Sequence, residues 1–432
     1  MSATASRLGH SPITVDWGNL VNFRSHKPDL DECHRAWEAL RARFKSGEVG
    51  FYDAPITPAL SVAEESQTLA RKILESSDFK DCLILGIGGS ALGPISMLSA
   101  LKERCKNPIR FHFLENPDAV ECGTLLQELD PATTLVLVVT KSGTTFETIA
   151  QMLVVQEWLG TSRIHQQMIA LTDPEKGDLR EYVRKTGIQS LPIHPSIGGR
   201  FSIFSPVGLL PAALAGLSVS EFLKGAQEVR EWMEKTPLEK NPLFILGTEF
   251  IQNFEKRPIH VCMPYSTRLR SIGSWFAQLW GESLGKDKKG FTPIAALGAT
   301  DQHSILQLLR DGPDDKITWF VTVDQVADPI KIPKNIMSGK TGVLTSFQQL
   351  EGHTLHDLLR IEYQAIAKVL SRQSRPHISW KIDTLDERNL GALYFTWSVL
   401  TAITGTLWNV NPFDQPGVEE GKIYIKESLD HA

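Results

Sequence analysis

Apolar runs rich in β-branched residues alternate with helical segments through the first half of the chain, and this alternation restricts the fold more than any other feature. The pattern becomes regular at residue 61, where an amphipathic run precedes the first apolar run. Strands that alternate with helices form parallel sheets with helices on both faces. The sequence therefore predicts a doubly wound sheet of five strands, at 82–88, 109–116, 134–142, 167–173 and 188–194.

A second and less regular series follows Pro237. We expect strands at 258–266 and 317–323, and helices at 243–254, 269–284, 302–310, 354–371 and 387–408. The predicted fold class is α/β, with two related doubly wound parallel-sheet domains and helical extensions at both ends. The predicted units are an irregular N-terminal arm with one helical patch (1–60), a first domain (61–220), a second domain (221–385), and a C-terminal helix and proline-punctuated tail (386–432).

Charge and cysteine content exclude several classes of partner. The 45 basic and 50 acidic residues give a net charge of −5 without a dense basic run, so we expect no nucleic-acid partner and no anionic membrane surface. Five widely spaced cysteines without a CxxC pair predict reduced thiols in a cytoplasmic protein. The uncharged stretch 389–413 is nearly long enough to span a bilayer, but its hydroxyl residues and the lack of basic flanks favour a buried helix.

Two loops at the ends of predicted strands suit an anionic ligand. The first, GIGGSALG at 86–93, lets a ligand approach the backbone, but it is equally compatible with a dinucleotide fingerprint in which Glu115 binds the ribose. The second, TKSGTT at 140–145, offers four hydroxyls that lead into a helix, which favours phosphate. A Ser/Thr N-cap with its glutamate capping partner, which includes Thr145 and Thr148, is the simpler alternative, but it would explain only one hydroxyl.

Two further positions suit acid–base chemistry. Arg200 follows Gly198 and Gly199 and can present a planar cation to an oxyanion, although a surface arginine in a turn has the same pattern. Glu282 comes at the end of a long apolar helix, where partial desolvation would raise the pKa of its carboxyl group toward that of a general base. A solvated glutamate at a helix end is the commoner case.

The last candidate groups lie further along the chain. His303, in the segment DQHS, follows a helix-capping aspartate, and a structural role is the simpler interpretation of such a histidine. The tail segment FDQPGVEEGK contains Gln415 and Lys422 around a tight turn and a helix start. Charged tails of this kind usually face solvent.

Six of these segments resemble, in order, the glucose-6-phosphate isomerase family in its shorter bacterial form. They are GIGGSALGP (86–94), TKSGTTFET (140–148), GGRFSIFSPVG (198–208), GESLGKDKKG (281–290), DQHS (301–304) and FDQPGVEEGK (413–422). The family is built from two sugar-isomerase (SIS-type) doubly wound domains, in agreement with the strand pattern. Thr140 departs from the family by standing where a serine is frequent.

The resemblance implies a role for each candidate. Glu282 resembles the base that moves a proton between C2 and C1 of the sugar through a cis-enediol, and Arg200 the cation that stabilises the enediolate oxygen. His303 and Lys422 resemble the pair that assists ring opening. The implied substrate-binding residues are Gly89, Ser90, Thr140, Lys141, Ser142, Thr145, Gly199 and Gln415.

The resemblance further implies a reversible interconversion of glucose 6-phosphate and fructose 6-phosphate in the cytoplasm, with no metal and no other cofactor. Its partners would be a small sugar phosphate and a second copy of the chain, because in the family His303 can reach the site of the neighbouring subunit. Two alternatives stay open. A non-catalytic sugar-phosphate sensor would not need all four catalytic groups, and a nicotinamide dehydrogenase would leave the 140–145 loop unexplained.

Overall fold

A computed structural model describes residues 5–9, 13–20, 29–76, 78–334 and 345–430, and within them it forms two β-sheets flanked by helices. The strands are β1 Ala5–Arg7, β2 Ile13–Asp16, β3 Asp81–Leu85, β4 Arg110–Leu114, β5 Thr134–Val139, β6 Met168–Thr172, β7 Gln189–Pro192, β8 Ile259–Pro264, β9 Thr292–Ala295, β10 Lys316–Gln325 and β11 His377–Thr384.

The helices occupy both faces of the sheets. They are α1 Leu30–Lys45, α2 Pro58–Ser61, α3 Ala63–Ser76, α4 Leu92–Ala100, α5 Ala119–Glu128, α6 Phe146–Leu159, α7 Ile164–Gln167, α8 Asp178–Thr186, α9 Pro206–Leu214, α10 Val219–Lys235, α11 Pro242–Asn253, α12 Ile272–Leu284, α13 Gln302–Asp311, α14 Thr345–Leu350, α15 Leu355–Arg372, α16 Glu387–Leu407 and α17 Pro416–Asp430. The predicted helices are present with ends shifted by a few residues, whereas α9 and α10, among others, were not predicted.

The first sheet has the order β4-β3-β5-β6-β7, and every neighbouring pair is parallel. Its central strands are buried on both faces, because helices cover the sheet from both sides. The predicted five-stranded parallel sheet is therefore confirmed. Strand β3 has its two successors, β4 and β5, on opposite sides, so the loops after β3 and β5 meet at one edge of the sheet.

The second sheet has the order β1-β2-β11-β10-β8-β9. Strands β8 to β11 are parallel, whereas β1 and β2 are antiparallel to their neighbours and come from the predicted N-terminal arm. The prediction that this arm is irregular outside its helix was wrong for these two strands. Both strands are short, and β2 pairs with β11, which lies more than 360 residues away in the chain. The proposed boundaries at 60, 220 and 385 stay predictions.

Helix α16 forms the centre of the core. Its most apolar 18-residue window is long enough to span a membrane, but 89% of that window is buried inside the protein. Its threonines donate hydrogen bonds to carbonyls one turn back, as in Thr401 Oγ1 to Trp397 O at 2.7 Å, so their hydroxyls are satisfied without water. The crossing with α10 is close: a Cβ on Gly391 would lie 2.0 Å from Phe222 O, which requires glycine.

Candidate active site

The guanidinium group of Arg200 is the centre of the candidate site. Arg200 lies in the short turn Gly199–Phe204 beyond β7, and only 2% of its surface is exposed. Each of its five N–H donors has an acceptor at 2.6–3.2 Å. The acceptors are Ser283 Oγ (from Nε, 2.6 Å), Glu282 Oε1 (Nη1, 3.1 Å), Gln415 Oε1 (Nη1, 3.2 Å), Pro412 O (Nη2, 2.6 Å) and Asp414 O (Nη2, 3.0 Å).

This network joins three separate parts of the chain. Burial lowers the pKa of Arg200, whereas the charges of Glu282 and Asp414 and the hydrogen bond from Arg200 to Glu282 oppose that effect. A guanidinium stays protonated in proteins even so, and a cation in a site with little water acts strongly on a neighbouring charge. Nη1 of Arg200 donates to Glu282 and Gln415, the two side chains of this network that are expected to contact the substrate.

Glu282 lies in the last turn of α12, beside the buried Ser283. Its side chain is 24% exposed, and Oε1 of its carboxylate accepts a hydrogen bond from Arg200. This helix end is therefore only partly desolvated. The carboxylate can meet a small molecule that enters from solvent.

The glycine loop after β3 forms a wall beside Arg200. A Cβ on Gly89 would lie 2.3 Å from the carbonyl carbon of Gly199, so only glycine permits this contact. The contact is fixed further by a hydrogen bond from Ser202 Oγ to Gly89 O at 3.0 Å. Ser90 ends the same turn and is half-buried.

The loop after β5 brings three predicted hydroxyls together, and we call residues 140–145 the hydroxyl loop. Thr140 Oγ1 lies 2.9 Å from Thr145 Oγ1, and Ser142 Oγ lies 3.4 Å from both. Thr145 occupies the N-cap position of α6, yet its side chain makes no capping hydrogen bond. The simple capping interpretation therefore fails, and the hydroxyls face one another at a helix N-terminus, where an anion is favoured.

Lys141 is directed differently from its neighbours. Its ammonium group donates to Pro195 O at 2.6 Å and to Ile197 O at 2.8 Å, in the segment that leads to Arg200. Burial lowers the pKa of this lysine, although Asp173 opposes the shift. The structure thus gives Lys141 a contact with that segment, and the substrate-binding role that the family resemblance implies for it stays a prediction.

Further cations that the sequence reasoning missed hold the tail against the site. Lys286 donates to Ser283 O at 3.0 Å and to the carbonyl of Asn411, and it forms an ion pair with Asp414 at 3.1 Å. Lys289 donates to Trp408 O at 2.8 Å. The glycine- and lysine-rich composition of 281–290 was the available signal, but the tail partners lie more than 110 residues away.

His303 and Lys422 lie outside the Arg200 network. His303 is exposed on α13, and Lys422 is exposed on α17. Neither side chain is among the acceptors or neighbours that engage the five donors of Arg200. The part of the chain that the structure describes contains no group of three or more His, Cys, Asp or Glu residues arranged to hold a metal ion.

Comparisons with known proteins identify relatives of this chain. Two relatives, the glucose-6-phosphate isomerases of Carboxydothermus hydrogenoformans and Rubrobacter xylanophilus, are 37% and 38% identical to the chain. Each alignment covers 95% of this chain, and 93% and 96% of the relatives. The crystal structure of a hypothetical protein from Thermus thermophilus superposes with a TM-score of 0.83 at 34% identity, and the match covers 92% of this chain and 94% of that one.

The fold is shared with the crystal structure of a glucose-6-phosphate isomerase from Chlamydia trachomatis, which superposes with a TM-score of 0.77 at 23% identity and covers 99% of this chain and 90% of that one. The family model described as phosphoglucose isomerase matches residues 67–432. The chain therefore belongs to the phosphoglucose isomerase family.

Proposed function

We propose that this chain interconverts glucose 6-phosphate and fructose 6-phosphate by moving a proton between C2 and C1. The observation that carries the proposal is the Glu282 carboxylate 3.1 Å from a fully hydrogen-bonded, buried Arg200. Family membership favours this reaction over the sensor and the dehydrogenase.

Glu282 is the base in this mechanism. Its carboxylate removes the proton from C2 of the open-chain aldose, and the C2–H electrons form the C1–C2 double bond while the carbonyl π electrons move to oxygen. The proton of the C2 hydroxyl then passes to the C1 oxygen, which leaves the negative charge on the C2 oxygen. Those electrons form the C2 carbonyl while the electrons of the C1–C2 double bond take the proton from Glu282 at C1, and this gives the ketose. One carboxylate on one face of the sugar is sufficient, because the proton leaves and returns on that face.

Arg200 stabilises the negative oxygen of the intermediate. Its five hydrogen bonds hold the guanidinium in place before the charge develops, so little reorganisation is needed during the reaction. The Nη1 group of Arg200 donates to both Glu282 and Gln415, the two side chains that contact the substrate in this mechanism. Gln415 contacts the substrate from the tail.

The hydroxyl loop binds the phosphate. Thr140, Ser142 and Thr145 supply donors at the start of α6, while Gly89, Ser90 and Gly199 bring backbone to the sugar. The phosphate takes no part in the chemistry, and its binding energy positions the carbons at Glu282. Lys141 supports this wall through its contacts with the segment before Arg200.

His303 and Lys422 assist ring opening in the proposed mechanism, and His303 does so in the site of a second copy of the chain. Support comes from the exposure of His303 and from the apolar residues that α17 exposes around Lys422, including Tyr424 and Leu429. A homodimer would cover this surface. The unpaired cysteines fit a cytoplasmic protein.

The reaction is tested by following glucose 6-phosphate formation from fructose 6-phosphate through an NADP-linked coupling dehydrogenase, with EDTA present. We expect rapid, EDTA-insensitive turnover. Binding of the sugar phosphate without turnover would support the sensor, and binding of NADH in a fluorescence titration would support the dehydrogenase.

The shared site is tested by mixing two inactive variants, Glu282→Gln and His303→Ala. If His303 serves the neighbouring subunit, a mixed dimer contains one site with both groups intact, and activity returns on subunit exchange. If both groups act within one chain, exchange restores no activity. Sedimentation of each variant checks that it still assembles.

A further inference from the structure

The two sheets share one strand arrangement, and it creates two equivalent crevices. In the first sheet, β3 lies between β4 and β5; in the second, β8 lies between β9 and β10. In both cases the chain passes to one side of the central strand and then returns to the other side. Ligands of open α/β sheets bind beyond the carboxyl ends of the strands at such a reversal.

The first crevice is occupied by the loops of the candidate active site, whereas the second lies outside it. Beyond β8 and β10 the structure contains a cavity of about 510 Å³, bounded by Tyr265, by the end of β10 and by α15. This volume is within the range of small-molecule sites. None of its lining residues belongs to the Arg200 network or to the hydroxyl loop.

Aromatic rings form part of the lining of this cavity. The rings of Tyr265 and Tyr363 lie 5.5 Å apart at 64°. Their hydroxyls already have partners, because Tyr265 accepts from Gln302 at 2.7 Å and Tyr363 donates to Ser379 at 2.8 Å. The rings are therefore fixed, and what they offer a ligand is an apolar face.

The charged lining residues divide into engaged and available groups. Asp357 is engaged by its own helix, since its carboxylate accepts from Thr354 at 2.8 and 3.1 Å and from Arg360 at 3.3 Å. The ammonium group of Lys381, on β11, makes no hydrogen bond or ion pair with any residue that the structure describes. The carboxylate of Asp324, at the end of β10, is exposed at the cavity rim.

We propose that this cavity binds a polyhydroxylated carbohydrate, independently of the active site. Asp324 accepts hydrogen bonds from sugar hydroxyls, Lys381 donates to a hydroxyl or to a phosphate, and the tyrosine rings contact the apolar face of the sugar. Arg360 also lines the cavity and is paired with Asp357, so two cationic side chains, Arg360 and Lys381, balance the carboxylates of Asp324 and Asp357 there.

The test measures the number of ligand molecules bound per chain. Glucitol 6-phosphate is the probe, because it has no carbonyl group and cannot be isomerised, and equilibrium dialysis gives the stoichiometry. The wild-type protein is expected to bind two molecules per chain, and Lys381→Ala to bind one. Lys240→Ala, an exposed lysine outside the cavity, is the charge-matched control and is expected to bind two.

The tighter of the two binding steps takes place at the active site, so its presence in each variant shows that the variant is folded. Asp324→Asn, at an exposed position, provides a second variant and is expected to weaken the second step at least tenfold. One molecule per chain in the wild type, or a second step that neither variant changes, would overturn the proposal. These results do not depend on turnover, so failure of the isomerase proposal is seen separately.

Unphosphorylated glucitol shows whether the cavity recognises the sugar or the phosphate group. If glucitol gives the step that Lys381→Ala removes, the cavity recognises the sugar alone. If only glucitol 6-phosphate gives that step, Lys381 recognises the phosphate. Absence of the step with both compounds contradicts the proposal.

Discussion

The two ends of the candidate active site are built in opposite ways. Around Arg200, all five donors already have acceptors, and the side chain is buried. In the hydroxyl loop, Thr140, Ser142 and Thr145 hydrogen-bond mainly to one another, and Ser142 is exposed. One end is held by its hydrogen bonds already, whereas in the proposed mechanism the hydroxyls of the other end exchange their internal hydrogen bonds for bonds to the phosphate.

The difference separates two contributions to catalysis. A fixed cation at the reacting carbons acts where charge develops, so its loss lowers kcat. Hydroxyls that bind a distant phosphate act equally in the ground state and the transition state, so their loss raises KM. Variants at the two ends test this separation, from the largest expected effect to the smallest.

The largest effect is expected from Glu282→Gln, which keeps the shape of the side chain but removes the base. We expect kcat to fall by about 10³-fold, in the range of general-base contributions. Affinity for glucitol 6-phosphate, measured by calorimetry, should stay within about tenfold because the phosphate contacts remain. Near-normal turnover would remove Glu282 from the base role.

Arg200→Lys should come next. A lysine keeps the charge but cannot reproduce five fixed hydrogen bonds, so we expect kcat to fall by about 10² to 10³-fold with a smaller change in KM. Steady-state kinetics gives both constants. Ser283→Ala, which removes a single one of the bonds, is the graded control, and an equal loss from it would contradict the network argument.

The double change Ser142→Ala with Thr145→Ala should act on KM. We expect KM to rise about tenfold with little change in kcat, because lost hydrogen bonds to a charged group weaken binding uniformly. Ser46→Ala, an exposed hydroxyl on another element, is the control. An unchanged KM would mean that the phosphate binds elsewhere.

A smaller effect is expected when the tail loses one anchor. Lys286→Met removes the ion pair with Asp414 and the bonds to the carbonyls of Ser283 and Asn411, so Gln415 and the Arg200 acceptors become less well positioned. We expect kcat/KM to fall about fivefold, which corresponds to less free energy than one hydrogen bond to a charged group contributes. Lys288→Met, an exposed lysine of the same loop, should leave kcat/KM unchanged.

The smallest effect at neutral pH is expected from a change of His260, in the core beside α12, the helix that carries Glu282. His260 is buried with no hydrogen-bond partner for either ring nitrogen among the described residues, and its ring centroid lies 5.6 Å from that of Trp280 on α12. Burial lowers its pKa from 6.5 to about 3. The unfolded chain therefore binds a proton below pH 6.5 that the folded chain does not, and stability falls as the pH decreases from 6.5 toward 3.

His260→Phe tests this pH dependence. Between about pH 6.5 and about pH 5 the wild-type protein should lose about 2 kcal/mol more of its free energy of unfolding than the variant. Urea titrations at both pH values measure the difference. Parallel losses in the two proteins would mean that His260 is not a source of acid sensitivity.

The sequence predicted much of the first sheet and less of the second. The five strands from β3 to β7 form apolar runs whose partners are near in the chain, so local periodicity was sufficient. Strands β1 and β2 have three and four residues, and the pairing of β2 with β11 depends on the folded partner. Strand β11 has buried Ile378, Trp380 and Ile382 at every second position, which is the periodicity of a strand and was the available signal for it.

The candidate site was predictable in its residue types but not in its contacts. The glycine and hydroxyl loops were identified from their composition, and the proximity of Arg200 to Glu282 was implied only by the family resemblance. Lys141 and Lys286 could not be placed, because their partners include backbone carbonyls more than 50 and 120 residues away. A carbonyl acceptor carries no side-chain signature, so no pattern in the sequence indicates it.

Proton transfer by Glu282 is tested most directly by isomerisation in D₂O. The products are analysed by NMR for deuterium at C2 of glucose 6-phosphate and at C1 of fructose 6-phosphate. The account predicts deuterium at both carbons with the wild-type protein and none with Glu282→Gln, although that variant still binds glucitol 6-phosphate. Rapid isomerisation without any deuterium, or continued exchange in Glu282→Gln, would contradict it.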